Sequence, residues 1–455
     1  MTQIGSCAIC LAPAEQKCAN CQWVHYCSRD HQKQHWKTHK QYCTPARVKT
    51  DEKYGRYLEA TRQIKPGDVI LKESPLISGP AQVTPPVCLG CYKMLEEDKT
   101  VPCDKCGWPM CSSECSARDV HKPECFYTQN RGEKVKISTY GVPHPNYQCI
   151  TVLRCLYQRD HDQKLWSKLQ ALQSHCEDRR DTDKWNNDRK MILEFIWKFF
   201  KLDTTFSEEE IMKCCGIIQI NGHEVPLLEP EYVAVFDKIS MVEHNCRANC
   251  NKSFTSEGDI ILCAGSPLSP GTHISVCYTD PLWGTEARRH HLADSKFFEC
   301  TCERCSDVTE FGTMYSATRG LDNKFWKCPT CEDAVSDAII QQLLQDIAFA
   351  KLSYTTVIVS NRNLRNLYFN ITMIGQQHNL GLAGVSDDRL LLKTQLCRKI
   401  TTLLETLAPA ETRLRGSLLF ELHAAVAESG RRKSLTDGPM VMLGYVTVSF
   451  SFLFN

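Results

Sequence analysis

Residues 243–249 read Glu-His-Asn-Cys-Arg-Ala-Asn, and they are followed by Tyr278 and by the run Cys300-x-Cys302-x2-Cys305. This part of the chain decides the fold, because thiols separated by one or two residues can bind a single metal ion. Tyr278 follows an apolar, alternating segment that is typical of a half-buried strand. The pattern therefore predicts β-structure held together by a metal ion.

The composition restricts the class of protein. Charges nearly cancel, with 54 Lys+Arg against 53 Asp+Glu, so we expect neither direct nucleic-acid binding nor attraction to acidic membranes. The 28 cysteines follow an N-terminus that lacks the features of a secretory signal, so we expect metal-bound thiols in the nucleus, the cytoplasm or both. No apolar run reaches the roughly 18 residues of a membrane span. The length allows two or three domains, and we expect a monomer.

The first 43 residues contain four pairs of metal-binding residues, with two or three residues between the members of a pair. The pairs are Cys7 and Cys10, Cys18 and Cys21, Cys27 and His31, and His39 and Cys43. Residues 88–125 repeat the plan with Cys88 and Cys91, Cys103 and Cys106, Cys111 and Cys115, and His121 and Cys125. Eight ligands in each copy predict two closed, structural zinc sites per copy. The alternative is that some of these cysteines are free core thiols.

The first copy resembles the MYND zinc finger through Tyr26-Cys27-Ser28 and His35-Trp36-x2-His39-Lys40. That resemblance implies interleaved ligand sets. In the first copy they are Cys7, Cys10, Cys27 and His31, and Cys18, Cys21, His39 and Cys43; in the second they are Cys88, Cys91, Cys111 and Cys115, and Cys103, Cys106, His121 and Cys125. His31 replaces the usual cysteine, and imidazole is also a good zinc ligand. The family further implies docking of proline-containing peptides; the alternative is that the fingers only stabilise small domains.

Short β-prone runs separated by Pro66-Gly67 lie between the two fingers and predict two strands joined by a turn. Together with residues 243–249, Tyr278 and the last cysteine run, this order resembles the SMYD family of SET and MYND domain proteins, and within it the arthropod SmydA group. The resemblance implies an α+β fold in which a β-rich SET domain is interrupted by a MYND finger, with an extra N-terminal finger and a helical C-terminal domain.

We divide the chain according to this resemblance and to its hydrophobic periodicity. The predicted segments are an N-terminal MYND finger (1–46), SET N-terminal strands (50–86), a second MYND-type finger (87–126), a helical SET insert (140–215), the SET core (216–296), a post-SET cysteine-rich segment (297–332) and a helical, tetratricopeptide-like domain (335–455). In the last of these, helices are predicted over 338–352, 390–407 and 413–427. The apolar residues 445–454 are interpreted as a buried segment or an atypical tail.

The SMYD resemblance also implies site residues. S-adenosylmethionine would be bound by Arg56, Asn221, Ser240, His244 and Phe298, and the hydroxyl of Tyr278 would orient the ε-amine of a substrate lysine. A fifth zinc ion would be held by Cys246, Cys300, Cys302 and Cys305, which makes about five zinc ions in all. Cys328 and Cys331 form an accessory half-site or are unpaired thiols.

Glu243 departs from the family, which has Asn at this position. An amide both donates and accepts hydrogen bonds, whereas a carboxylate only accepts them. A negative charge beside the cofactor's own carboxylate would cost on the order of 1–3 kcal/mol of binding; alternatively, the side chain points away. Two functions are therefore predicted: a lysine methyltransferase acting on histones or other proteins, or a weak or inactive SET/MYND scaffold that acts as a transcriptional corepressor or interaction module.

Overall fold

The computed structural model describes residues 5–21, 24–40, 43–52, 54–307, 310–311, 318–319, 325–327, 334–336 and 381–437. Cys328, Cys331, the helix predicted over 338–352 and the apolar residues 445–454 lie outside the described residues. In the described part of the chain, no helix combines the length and the apolar character needed to cross a bilayer.

Most strands are short, as expected for β-structure interrupted by metal-binding turns. They are β1 Gly5–Ser6, β2 Pro13–Ala14, β3 Gln16–Lys17, β4 His25–Tyr26, β5 Ala46–Asp51, β6 Gly55–Ala60, β7 Val69–Glu73, β8 Ile77–Pro80, β9 Val101–Pro102, β10 Pro109–Met110, β11 Gly222–Val225, β12 Tyr232–Val235, β13 Glu243–His244, β14 Cys250–Phe254, β15 Ile260–Ala264, β16 Ser275–Val276, β17 Thr318–Arg319, β18 Phe325–Lys327 and β19 Ala334–Ser336.

The helices lie mainly between the second finger and the core strands, and near the C-terminus. They are α1 Arg29–His39, α2 Ser113–Ser116, α3 Lys122–Arg131, α4 Ile150–His161, α5 Gln163–Gln170, α6 Cys176–Arg179, α7 Asp183–Asp188, α8 Glu194–Phe200, α9 Glu208–Asn221, α10 Thr285–Lys296, α11 Glu303–Ser306, α12 Asp387–Leu407 and α13 Thr412–Asp437. Short 3₁₀ turns cover Glu97–Lys99, Asp119–His121, Pro145–Tyr147, Ile239–Met241 and Gly381–Gly384, and a π turn covers Arg189–Leu193.

The SET sheets join strands from both sides of the second finger. β12 pairs antiparallel with β8, so that Val235 lies opposite Ile77, and β15 pairs antiparallel with β7, so that Ile260 lies opposite Glu73. Apolar side chains of β7, β12 and β15 form a buried cluster that includes Leu58, whereas Ile77 and Val235 belong to a second cluster. The predicted α+β fold, with its interrupted SET domain and N-terminal finger, is confirmed.

The helical insert and the second finger share a second buried cluster. α9 begins with a capping box, in which the Ser207 hydroxyl accepts from the backbone N–H of Glu210 and the Glu210 carboxylate accepts from that of Ser207. The helix continues to Asn221, so the predicted start of the SET core at residue 216 falls inside it. The first turn of α9 is acidic, whereas its middle, including Ile211 and Cys214, is buried in this cluster.

α12 and α13 form an antiparallel pair over the stretches where two C-terminal helices are predicted. Leu404 and Leu418 are buried between them, and Leu282 from the SET side packs in the same cluster. The guanidinium of Arg247 donates to the carbonyl of Thr406 at 3.0 Å. This end of the helical pair therefore rests on the segment that carries the His-Asn-Cys motif.

Candidate active site and zinc sites

Within the residues that the structure describes, five groups of four Cys or His side chains lie together, and in each group the ligand atoms are within 4.8 Å of one another. A tetrahedral zinc ion with Zn–S distances of about 2.3 Å places its sulfurs roughly 3.8 Å apart. Cys18 and Cys43 bring their Sγ atoms to 3.6 Å, and Cys91 and Cys111 bring theirs to 3.5 Å. The donors and their separations fit zinc, so the chain contains several Cys/His zinc-binding sites.

The groups have the composition implied by the family resemblance. In the first finger they are Cys7, Cys10, Cys27 and His31, and Cys18, Cys21, His39 and Cys43; in the second finger they are Cys88, Cys91, Cys111 and Cys115, and Cys103, Cys106, His121 and Cys125; the last is Cys246, Cys300, Cys302 and Cys305.

Helix α1 serves both sites of the first finger. The hydroxyl of Ser28 caps the helix by accepting from the backbone N–H of His31 at 3.2 Å, so Cys27 lies directly before the cap and His31 lies in the first turn. Nδ1 of His31 then lies 3.2 Å from Sγ of Cys27. His39, at the end of the same helix, places Nε2 3.5 Å from Sγ of Cys21. A single helix of fixed pitch thus sets the spacing between the two sites.

The second finger is joined to the SET domain by a buried ion pair. Nε2 of His121 lies 3.3 Å from Sγ of Cys106, while Nδ1 lies 2.9 Å from the carboxylate of Glu124. Arg154 on α4 donates to the same carboxylate at 2.6 Å and to the carbonyl of Ser78 on β8 at 2.9 Å. Burial favours the neutral acid, but Arg154 and His121 hold the pKa of Glu124 below its usual value. The carboxylate therefore orients a zinc ligand and fixes the finger to the core.

The post-SET cysteines close over the core through Cys246. Its Sγ lies 3.4 Å from that of Cys305 and 3.8 Å from that of Cys300. Behind this cluster, Glu310 is fully buried and bonds to both Arg304 and Arg288, at 2.8 and 3.2 Å. Arg288 also points an N–H at Sγ of Cys305, at 3.6 Å. Two buried cations beside the thiols favour the thiolate form that zinc requires.

His244 links this zinc site to Tyr278. The parallel pairing of β13 with β16 brings the two residues together, and the backbone N–H of Tyr278 donates to Nδ1 of His244 at 3.0 Å. The Nε2 atom of His244 lies 3.1 Å from Sγ of Cys246. Burial lowers the pKa of His244 to about 4, so the ring is neutral and its remaining proton, on Nε2, points at the sulfur.

The hydroxyl of Tyr278 is held in place and stays protonated. It donates to the backbone carbonyl of Val242. Burial raises the pKa of Tyr278, and the charge of Glu243 raises it further. The residue predicted to orient a substrate amine is thus a neutral, fixed phenol.

Glu243 is half-buried and paired with a histidine. Its carboxylate lies 3.0 Å from Nδ1 of His273, and the ring of His273 stacks on Tyr57 at 4.0 Å between centroids. The side chain of Glu243 is 15% exposed. Its charge adds to the effect of burial in raising the pKa of Tyr278.

The five residues predicted to contact the cofactor lie at the ends of different elements. Arg56 on β6 donates to the carbonyl of Ala171, and Asn221 donates to that of Gln173 at 2.7 Å, so both are held by the segment after α5. Ser240, in the 3₁₀ turn before β13, donates to the carbonyl of Phe236 at 2.6 Å. The ring of Phe298 lies 5.9 Å from that of His244 and is 36% exposed. The structure thus brings His244, Tyr278 and Phe298 together, and it holds Arg56 and Asn221 on one neighbouring segment.

Sequence reasoning missed His273, Tyr57 and Lys296. The first two face Glu243 only because β6 and the segment before β16 pair with distant parts of the chain, and no local pattern marks them. Lys296 ends α10, and its Nζ lies 5.9 Å from the ring centroid of Tyr278. Its position directly before Phe297-Phe298 and the cysteine run was the available signal.

Comparisons with known proteins agree with this architecture. Residues 7–43 match the MYND finger family, and residues 55–279 match the SET domain family. The SET domain-containing protein SmydA-8 of Drosophila melanogaster is 28% identical in isoform B over 314 residues, covering 62% of this chain and 66% of that protein. Isoform A is 26% identical over 309 residues, covering 62% and 64%. The histone-lysine N-methyltransferase ASHR1 of Arabidopsis thaliana is 24% identical over 295 residues, covering 60% and 57%.

The matched stretch thus spans less than two thirds of each of these relatives. Among solved structures, the SET domain of LSMT bound to lysine and AdoHcy aligns with 91% of this chain and 86% of that chain, at 13% identity and a TM-score of 0.33. A score this low establishes no shared fold. With a MYND finger ahead of a SET domain and SmydA-8 among its relatives, the chain belongs to the SMYD family of SET and MYND domain proteins, in the arthropod SmydA group.

Proposed function

We propose that this protein is an S-adenosylmethionine-dependent protein-lysine methyltransferase that acts on histones or other proteins. The observation that carries the proposal is the fixed contact of Tyr278 with His244, which binds the tyrosine to the post-SET zinc site through Cys246. Several relatives are named histone-lysine N-methyltransferases, which supports the same reaction.

The residues around Tyr278 fit S-adenosylmethionine by their chemistry. The exposed ring of Phe298 offers an aromatic face for adenine. Glu243 offers an acceptor for the ammonium of the methionine end, and the guanidinium of Arg56 offers a partner for its carboxylate. Asn221 and Ser240 would complete the site. The four finger sets and the Cys246 set would hold about five zinc ions, each closed by four protein ligands and therefore structural.

The proposed mechanism depends mainly on alignment and on exclusion of water. When bound, the cofactor supplies an electrophilic methyl group on a sulfonium. Tyr278 orients the acceptor amine with a hydroxyl that Val242 keeps in place. The surrounding burial favours the neutral amine, which is the nucleophile. Since neutral His244 bonds to both neighbours through its ring nitrogens, its role is to position Tyr278 and not to transfer protons.

A second function is favoured by the position of Glu243. A carboxylate beside Tyr278 and Tyr57 opposes the anionic end of the cofactor, and the protein would then act as a SET/MYND scaffold or transcriptional corepressor. The first finger would dock proline-containing peptides, and it exposes Leu11 and Trp36, at 77% and 44%. We propose a monomer in the nucleus, the cytoplasm or both for either function.

Calorimetric titration of the zinc-replete protein with S-adenosylmethionine tests the choice. Binding in the micromolar range, followed by transfer of labelled methyl groups to lysine-containing proteins, is the result expected of the enzyme. A folded protein that fails to bind the cofactor at millimolar concentration would overturn the enzyme and favour the scaffold.

A further inference from the structure

Lys296 directs its ammonium group toward the interior beside Tyr278. Nζ donates to the carbonyl of Ile220 at 2.7 Å and to that of Gln219 at 3.2 Å, and it lies 5.9 Å from the ring centroid of Tyr278. These carbonyls belong to the last turn of α9, where no following turn of helix satisfies them. The negative end of the α9 dipole also favours a cation at this place. The lysine is thus held in a defined position from outside its own helix.

The surroundings of Lys296 make its amine more nucleophilic than that of a surface lysine. Burial lowers the pKa of Lys296 to about 8, and the charge of Lys252 lowers it further while Glu224 opposes the change. With a pKa near 8, roughly one tenth of the amine is neutral at pH 7. An ordinary lysine, with a pKa of about 10.4, has a neutral fraction roughly two hundredfold smaller.

We propose that Lys296 is itself a methyl acceptor, because its amine lies beside the hydroxyl-bearing ring where the transfer reaction requires a lysine. This inference rests on the proposed methyltransferase function. The ammonium first loses a proton to water. The nitrogen lone pair then forms an N–C bond to the sulfonium methyl as the C–S bond breaks, which yields a monomethylated ammonium and S-adenosylhomocysteine.

The hydrogen bonds of Lys296 leave room for one methyl group on its nitrogen. Two of the three N–H positions of Nζ donate to the carbonyls of Ile220 and Gln219. A methyl group on the third position would leave both hydrogen bonds intact. The ammonium of Lys296 would repel that of a second lysine brought to the same place. We therefore expect Lys296 to be methylated before an external lysine.

The test uses the zinc-replete full chain with S-adenosylmethionine held at a saturating concentration, after calorimetry has measured cofactor binding. We expect peptide mass mapping to find a gain of one methyl group on Lys296 and none on Lys164, an exposed lysine on α5. Tenfold dilution of the protein at the same cofactor concentration should leave the rate per molecule unchanged, because the reaction is intramolecular. Lys296→Arg, which keeps the charge, should abolish this product, whereas Lys164→Arg should leave it unchanged.

A second readout requires no turnover. In cofactor-free protein, the acylation rate of Lys296 as a function of pH should have a midpoint about two pH units below the usual lysine value of about 10.4. A midpoint at the usual lysine value would overturn the inference. So would a protein that binds the cofactor yet methylates only other lysines, and the proposed function would survive that result. Failure to bind the cofactor would overturn both.

Discussion

The carboxylate of Glu243 lies 3.0 Å from Nδ1 of His273. The family's amide at this position carries no charge. Here burial raises the pKa of Tyr278 and the charge of Glu243 raises it further; the pKa of Tyr57 is raised by burial, then by Asp51 and Glu59, and last by Glu243. His273 in turn stacks on Tyr57. The replacement of the family's Asn by Glu243 therefore pairs a carboxylate with an imidazole and places its charge near two phenols.

Glu243→Asn should tighten the binding of S-adenosylmethionine. The change removes a repulsion between like charges that costs about 1–3 kcal/mol, which corresponds to roughly a fivefold to hundredfold lower Kd. Calorimetry would measure this Kd. Glu257→Gln, which removes an exposed carboxylate from the turn between β14 and β15, should leave the Kd unchanged. An unaltered Kd in Glu243→Asn would contradict this account, because Glu243 would then lie outside the cofactor site.

Tyr278→Phe should reduce methyl transfer while cofactor affinity stays within a few-fold of wild type. The phenol orients the amine, and its loss also leaves the Val242 carbonyl without a donor, at a cost of about 1–3 kcal/mol in the free energy of unfolding. Transfer is measured with labelled cofactor, and affinity by calorimetry. Unchanged transfer would remove Tyr278 from the mechanism.

Glu124→Gln should release zinc from the second finger and destabilise the protein. The change leaves the buried Arg154 without its counter-charge, which costs about 3–5 kcal/mol in the free energy of unfolding. It also removes the carboxylate that orients His121, which should lower the zinc affinity roughly 10–100-fold. Zinc release to a chromogenic chelator and urea unfolding measure the two effects. Glu114→Gln in the same finger, where the carboxylate is exposed, should behave as wild type.

Glu310→Gln should loosen the post-SET site without affecting the fingers. Arg288 and Arg304 are both fully buried, and they would share one neutral partner in place of a carboxylate, at a cost of about 3–5 kcal/mol. The expected result is faster loss of a single zinc ion. Glu299→Gln, at an exposed position before Cys300, is the matched control; equal zinc release from both variants would contradict this account.

The α12–α13 pair should lose stability in acid through Glu428. Hydrogen bonds from Arg431 lower the pKa of Glu428 to about 2; burial opposes this shift, and hydrogen bonds from Arg432 add to it. Since the folded pKa lies below the unfolded value near 4.5, the stabilisation is complete above pH 4.5 and disappears as the pH falls toward 2. Hydrogen exchange of α13 amides, corrected for intrinsic rates, should show this loss. Glu428→Gln should flatten the profile, whereas Glu405→Gln on α12 should keep it.

The features that the sequence alone predicts are those that depend on the spacing of residues close together in the chain. The pairs around Cys18 and Cys103 identify zinc ligands because a turn or one helical step brings such residues together regardless of the rest of the fold. The last two helices are also predicted locally, since apolar residues at helical spacing identify both a helix and the face that it buries. Even the interleaving of the ligand sets, implied by the MYND resemblance, agrees with the groups in the structure.

The sequence by itself thus determined the α+β class, the two fingers and the cysteine groups. Only the tertiary structure decided that Glu243 faces His273, that Glu124 is bonded to Arg154 and that Lys296 points at Tyr278. These contacts join residues brought together by sheet pairing and helix packing, and a charged side chain looks the same in a sequence whether it faces water or a partner. Its environment, which sets its pKa and its function, exists only once distant segments have packed together.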